Sequence, residues 1–308
     1  MTFNRVLQLL TGILSVVSAC RDSDRKTAVD SASAVMPATP PLPAPPNTGW
    51  IDSIAGSILL LPVAERMDRA AIVLPFLTDS SLTATSVFPL DSLSSLPVDL
   101  FSTGGSVSSN TLTSVSQRPN AEGCLQWPQG TLADATGRSW QVGFREGIAT
   151  PLALDSLESV TSADSSRLTS EIARISSALA EGADSTFRGL PFSVRKAYRF
   201  RAGSVSVLIA DVVRRIAEEA NPREEHILLI AERAPGENGY APAYHTRVAG
   251  SEEVVRTNEL LAAVRFTRNG RPAVIVAFEY GEGGRVALLE RSAERQWKIS
   301  WRSAYTGC

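Results

Sequence analysis

The sequence predicts an α+β fold, mainly β, with antiparallel meanders and at least one amphipathic helix packed on a sheet. Three observations carry this expectation. Short apolar runs divided by Ser, Gly and Pro clusters recur at roughly 10–15 residue intervals from Trp50 to Phe144, which suits an all-β region better than a βαβ one. Four alternating runs joined by tight-turn residues fill 258–308. Between them, Thr161–Glu181 is the one clear stretch of helical periodicity.

In chain order, Met1–Ala19 has the parts of an export signal: Arg5, an apolar run from Val6 to Val17, then small residues before Cys20. The run is shorter than the roughly 20 apolar residues that a bilayer span needs. Val17-Ser18-Ala19-Cys20 resembles the lipobox of bacterial lipoproteins, although Val stands where Leu is usual and the n-region holds a single basic residue. The resemblance implies removal of residues 1–19, a lipidated Cys20 and attachment to a bacterial membrane, with palmitate-like chains as the anchor. One acyl chain gives marginal binding at about 0.8 kcal/mol per buried CH₂, and two or three give a stable anchor. Arg21 after the cysteine implies the outer membrane where a cell has two. The alternative is an ordinary signal peptide with an incidental cysteine.

The expected organisation is a signal over 1–19, a Pro-rich tether over 20–48 and a β-rich globular domain over 49–308, with a possible subdivision near 200. The tether has almost no large apolar side chains and stiffens at Pro40-Pro41-Leu42-Pro43-Ala44-Pro45-Pro46 into polyproline II. With Cys20 consumed by lipid, two of the three cysteines remain, Cys124 and Cys308. An oxidising compartment permits their pairing as a disulfide. It would close a loop of roughly 180 residues, worth at most about 5 kcal/mol in the chain-entropy account. The alternative is two free thiols.

Within the domain, strands are expected at Ser57–Val63, Ala71–Phe76, Val87–Leu90, Val98–Phe101, Val107–Val115 and around Trp140, Val142 and Phe144. In Thr161–Glu181, Leu168, Ile172, Ile175 and Leu179 form one narrow stripe, which needs a sheet to lie on. Asp164 or Ser162 is expected to cap the helix start, and Gly182 lies just past its end. Pro191–Arg201 reads extended. From Val194 to Arg233 two readings compete. Val205, Val207 and Ile209 alternate like a strand, whereas Leu208, Val212, Val213, Ile216 and Ala220 fit a helix face. A long strand turning near 218–224 into a second strand, His226–Ala231, is the preferred one. Leu260–Phe266, Arg271–Tyr280, Arg285–Leu289 and Gln296–Ser303 complete a meander over 258–308, with Asn269-Gly270 as a strong hairpin signal.

Arg265–Val274, with Trp301 and Gly307-Cys308, looks like a degenerate FG-GAP/VCBS-type repeat. On that likeness the calcium-ligand positions fall on Arg265, Thr267, Asn269 and Ala273. Only Asn269 is suited to coordination, and a calcium site needs several oxygens including carboxylates. The resemblance therefore implies meander topology without a metal.

Chemistry is sparse. Net charge is −2 and no basic run occurs, which argues against nucleic-acid binding. The two histidines, His226 and His245, lack metal-ligand spacing, and His226 reads as the polar start of a strand. Ser193-Val194-Arg195-Lys196 spells the Ser-x-x-Lys of penicillin-interacting enzymes, without a Lys-Thr-Gly or Ser-Asp-Asn partner. Gly281-Glu282-Gly283-Gly284 reads as a hairpin turn. The pairs Glu218-Glu219, Glu224-Glu225 and Glu252-Glu253 are acid–base candidates that read more simply as solvated turns. Trp127, Trp140, Trp297 and Trp301 are candidates for a sugar-stacking face that read more simply as core. No catalytic residue and no cofactor is assigned. The expected role is a non-catalytic binding or structural module of the cell envelope, with the membrane as one partner and an envelope protein or polysaccharide as another. The alternative is an envelope hydrolase.

Overall fold

The computed structural model describes residues 58–307 apart from 64–65, 76–89, 91–92, 118–125, 135–138, 183, 217–221, 252–254 and 281–282. These residues belong to a compact unit spanning 44–308. The signal, the tether, Cys20, Cys124 and Cys308 lie outside the described residues. So do Val87–Phe88–Pro89, the turn joining the two strands of the ambiguous segment, Glu218-Glu219 and Glu252-Glu253. The fold is mainly antiparallel β with one α-helix among the described residues, as the sequence predicts.

The first six strands close a barrel. They are β1 (Leu59–Val63), β2 (Arg66–Val73), β3 (Leu96–Phe101), β4 (Val107–Ser116), β5 (Gln129–Leu132) and β6 (Val142–Arg145), in the order β1-β2-β5-β4-β3-β6. Six strands leave a narrow lumen, and two glycines show how narrow. A Cβ on Gly143 would lie 2.7 Å from Leu100 Cδ2 and 3.1 Å from Leu60 Cβ, and one on Gly130 would lie 2.6 Å from Leu112 Cδ2. The lumen is filled by side chains from the facing strands.

After the barrel the chain enters a second sheet through β7 (Ala149–Leu152). It crosses to a third with β8 (Asp155–Ser156), then forms α1 (Ser162–Leu179). Thr161, rather than Asp164 or Ser162, caps α1, because its Oγ1 accepts the Asp164 N–H at 3.3 Å and donates to the Asp164 carboxylate. Asp164 sits at the third helical position and is bonded to the cap rather than being the cap.

The outer sheet follows, with β9 (Ser193–Ala202), β10 (Val205–Ile216), β11 (Arg223–Arg233) and β12 (Ala241–Ser251) in the order β12-β11-β10-β9-β8. The ambiguous segment is therefore two long strands. The central sheet closes the chain. It contains β13 (Thr257–Phe266), β14 (Pro272–Tyr280), β15 (Gly283–Ala293) and β16 (Gln296–Arg302), ordered β16-β15-β14-β13-β7, with β17 (Thr306–Gly307) beside β15. The expected meander is present, and β7 adds a fifth strand along its path. Phe200, where a subdivision is allowed by the sequence, lies within β9.

These elements stack as barrel, central sheet, outer sheet and helix. One apolar cluster joins the barrel to one face of the central sheet, through Phe101, Phe144, Phe266, Ile275 and Trp301. A second joins the opposite face to the outer sheet, through Phe200, Ile209, Leu228, Val276 and Trp297. A third places Leu168, Ile172 and Ile175 of α1 on Leu208, Val212 and Leu229 of the outer sheet. Both sheets are thus buried on two faces. No helix among the described residues is long and apolar enough to cross a membrane.

Candidate functional site

The two-faced burial of the outer sheet makes its few charged side chains conspicuous. On β10 and β11, Val207, Ile209, Leu228 and Ile230 face the central sheet, while Leu208, Val212, Ile227 and Leu229 face α1. The two strands pair without a bulge from Ser206↔Arg233 to Ile216↔Arg223. That register sets Asp211, Glu224 and His226 on the face toward the central sheet, and Arg214 and Glu225 on the face toward α1.

On the first face, His226 is 2% exposed and its Nε2 lies 2.6 Å from Glu224 Oε2. Its Nδ1 faces Asp211 Oδ1 at 3.9 Å. Asp211, itself 5% exposed, accepts Arg195 Nη1 at 3.1 Å on its other oxygen, and Glu224 pairs with Arg215. Burial works against charging the imidazole. The facing Asp211 and Glu224 carboxylates outweigh it, so the ring titrates above its ordinary 6.5. Arg195 is the unpaired residue of a β-bulge, where β9 slips against Asp211 and Val212. It also lines a polar pocket of about 250 Å³ with Ser156, Glu158, Lys196 and Tyr198.

On the α1 face, Glu225 is fully buried and accepts from Arg214 Nε at 2.5 Å and from Arg247 Nε. The Arg214 guanidinium lies over Phe192 at 4.7 Å and Phe187 at 5.6 Å, so its desolvated planes have aromatic partners. Further along β11, Glu232 accepts Arg291 Nε and Nη2 at 2.7 and 2.8 Å, the Arg295 N–H at 3.0 Å and Trp297 Nε1 at 2.6 Å. A second cavity, of about 350 Å³, opens where Leu61 and Trp127 of the barrel region meet Phe278, Glu279, Arg285 and Thr306.

The other sequence candidates fall elsewhere. Ser193 opens strand β9 rather than a helix, and Lys196 pairs with Glu259 at 3.2 Å, so the Ser-x-x-Lys geometry is absent. Ser193 and His226 flank Val213 on either side, separated by two strand spacings, about 10 Å. Asn269 Oδ1 accepts the Arg271 N–H at 2.9 Å within the β13–β14 turn, and its Nδ2 donates to Glu290 at 3.3 Å. Among the described residues, no cluster of three or more His, Cys, Asp and Glu side chains is arranged to hold a metal ion. Trp127, Trp140, Trp297 and Trp301 are all buried. Trp140 and Trp301 donate to backbone carbonyls and Trp297 to Glu232, so the four serve the core. His245 is exposed on β12, and Gly283 and Gly284 begin β15.

Sequence reading placed His226 at the polar start of a strand and Glu224-Glu225 in a solvated turn; all three lie within β11, which begins at Arg223, and Glu225 and His226 are buried. The available signal was Asp211, a lone acid within the apolar run Val205–Val213. A carboxylate there needs a partner, because an isolated buried charge is prohibitively costly. Glu232 gives the same signal at the end of His226–Ala231. No protein-family model matches the chain, and no curated protein and no solved structure matches it.

Proposed function

We propose that the chain is a lipid-anchored, extracytoplasmic binding or structural module of a bacterial envelope. The observation supporting a non-catalytic role is the placement of its ionisable groups. Asp211, Glu225, His226 and Glu232 are turned between layers and engaged by charged partners, and the larger cavity is walled mainly by apolar and aromatic side chains. A catalytic acid or base must reach its substrate within hydrogen-bond distance. Shallow cavities with an apolar floor and a few polar groups suit recognition instead.

The anchor reading rests on Val17-Ser18-Ala19-Cys20 closing the apolar segment, and the Pro-rich stretch is the reach between bilayer and domain. A Cys124–Cys308 disulfide accords with this compartment. Trp127, three residues after Cys124, and Thr306, two residues before Cys308, line one cavity. Both thiols lose a hydrogen to a thiol–disulfide oxidant of that compartment, which is reduced in turn.

Mass spectrometry of the mature protein from its host checks the reading, with and without reduction. The expected species begins at a diacylated Cys20 and gains two hydrogens on reduction. An unmodified Cys20 still joined to Ala19 removes the anchor. Ester, amide and glycoside substrates should give no turnover above that of a His226→Gln variant. Turnover abolished by Asp211→Asn or Glu224→Gln would reassign the protein as a hydrolase.

A further inference from the structure

On the face toward the central sheet, Arg195, Asp211, His226, Glu224 and Arg215 form a row of alternating charge across β9, β10 and β11. The hydrogen bonding within this row decides the state of the histidine. Glu224 Oε2 lies 2.6 Å from Nε2, and a carboxylate only accepts, so Nε2 carries a proton. In a neutral ring Nδ1 is then a bare acceptor facing Asp211 Oδ1, another acceptor, at 3.9 Å. Both atoms are buried and neither has a hydrogen-bond partner. The opposite tautomer moves the conflict to Glu224, whose carboxylate also pairs with Arg215. The other oxygen of Asp211 likewise pairs with Arg195, at 3.1 Å. One proton on Nδ1 gives both orphaned atoms an attractive partner.

We propose that His226 is held as an imidazolium, a proton-dependent clamp tying Asp211 of β10 to Glu224 of β11, with its outer end, Arg195, in the wall of the 250 Å³ pocket. Other charged groups near this face are engaged elsewhere. Lys196 of β9 pairs with Glu259 of β13, and Arg256, preceding β13, lies over the Phe278 ring and donates to Thr246 of β12 at 2.8 Å. From β12, Val248 stands opposite His226. The clamp depends on neither the anchor nor the ligand of the protein.

The sign of the pH dependence follows from linkage. A histidine titrating above 6.5 in the folded state adds stability that is fully present below 6.5 and lost as pH rises through the folded value. Between those points the folding constant falls about tenfold per pH unit.

The test begins with a His245→Gln variant, which leaves one histidine in the chain. The imidazole carbon-bound protons of His226 should titrate by NMR with a midpoint above 6.5, and Asp211→Asn should lower that midpoint. In urea titrations from pH 6 to 9, His226→Gln should remove the tenfold-per-unit loss. A midpoint at or below 6.5, or one that Asp211→Asn leaves in place, overturns the clamp. An unchanged pH slope in His226→Gln does the same. If His226→Gln does not fold, the NMR midpoint of the His245→Gln protein decides the matter alone.

Discussion

Glu232 shows how one carboxylate can hold two layers together. It is 1% exposed on β11 of the outer sheet, and its four donors all come from β15, β16 and the turn between them. Burial alone would raise its pKa. The hydrogen bonds from Arg291, the Arg295 N–H and Trp297 outweigh that effect and hold it below 4.5. Its contribution is therefore present above that value and lost as pH falls through the depressed folded one. Glu232→Ala should cost about 3–5 kcal/mol in urea unfolding at pH 7, because it strands a half-buried guanidinium and a buried indole N–H. Glu232→Gln should keep the shape yet lose this part of the acid sensitivity. A denaturation midpoint unchanged in the alanine variant would show that Arg291 and Trp297 find other partners.

Among the elements, those with one dominant pattern were legible in the sequence. The stripe Leu168-Ile172-Ile175-Leu179 located α1, and the tight-turn residues located the meander β13–β16. The ambiguity over β10 has a physical origin. A strand buried on both faces loses its period-two alternation, so Val205–Val213 reads as a continuous apolar run that also fits a helix. β12 escaped notice for the opposite reason. It is the edge of the outer sheet and none of its residues is buried, so Tyr244-His245-Thr246-Arg247 shows little of a core pattern. β5 is four residues long, too short for a pattern, and its buried Gly130 admits Leu112 to the barrel lumen. The candidate site was the least visible part, because Asp211 and His226 meet only through the β10–β11 register. Two element-scale predictions follow from these packings. Gly143→Ala should destabilise the barrel by about 1–3 kcal/mol through overpacking against Leu100 and Leu60. In α1, Ile172→Ala should cost about 2–5 kcal/mol and Thr161→Ala only about 1 kcal/mol. Chemical denaturation at fixed pH measures all three. Equal costs for the two α1 variants would mean that the cap and the stripe do not act as the packing implies.

At the scale of the molecule, the question is whether four stacked layers melt as one. The central sheet shares an apolar cluster with each neighbour, and specific contacts cross both seams. The Phe144 ring meets Phe266 edge-on at 5.8 Å, and Trp301 Nε1 donates to Pro75 O at 2.9 Å, so the barrel region is tied to the central sheet. On the other side Phe200 meets Trp297 edge-on at 6.3 Å, beside the Glu232 bonds. The chain passes from barrel to central sheet within a few residues, since β7 pairs with β13 from Ala149↔Phe266 to Leu152↔Ala263. Removing the barrel would expose one whole face of the central sheet, which argues against a stable intermediate lacking it. Two single-tryptophan variants should test this, one keeping only Trp140 in the barrel region and one keeping only Trp297 at the seam with the outer sheet. If the layers unfold together, each tryptophan should lose its native fluorescence at the denaturant midpoint that far-ultraviolet circular dichroism gives for the same variant. A Trp140 transition at clearly lower denaturant than the dichroism of its own variant would show the barrel to be a separate cooperative unit, with the central sheet persisting on its contacts with the outer sheet alone.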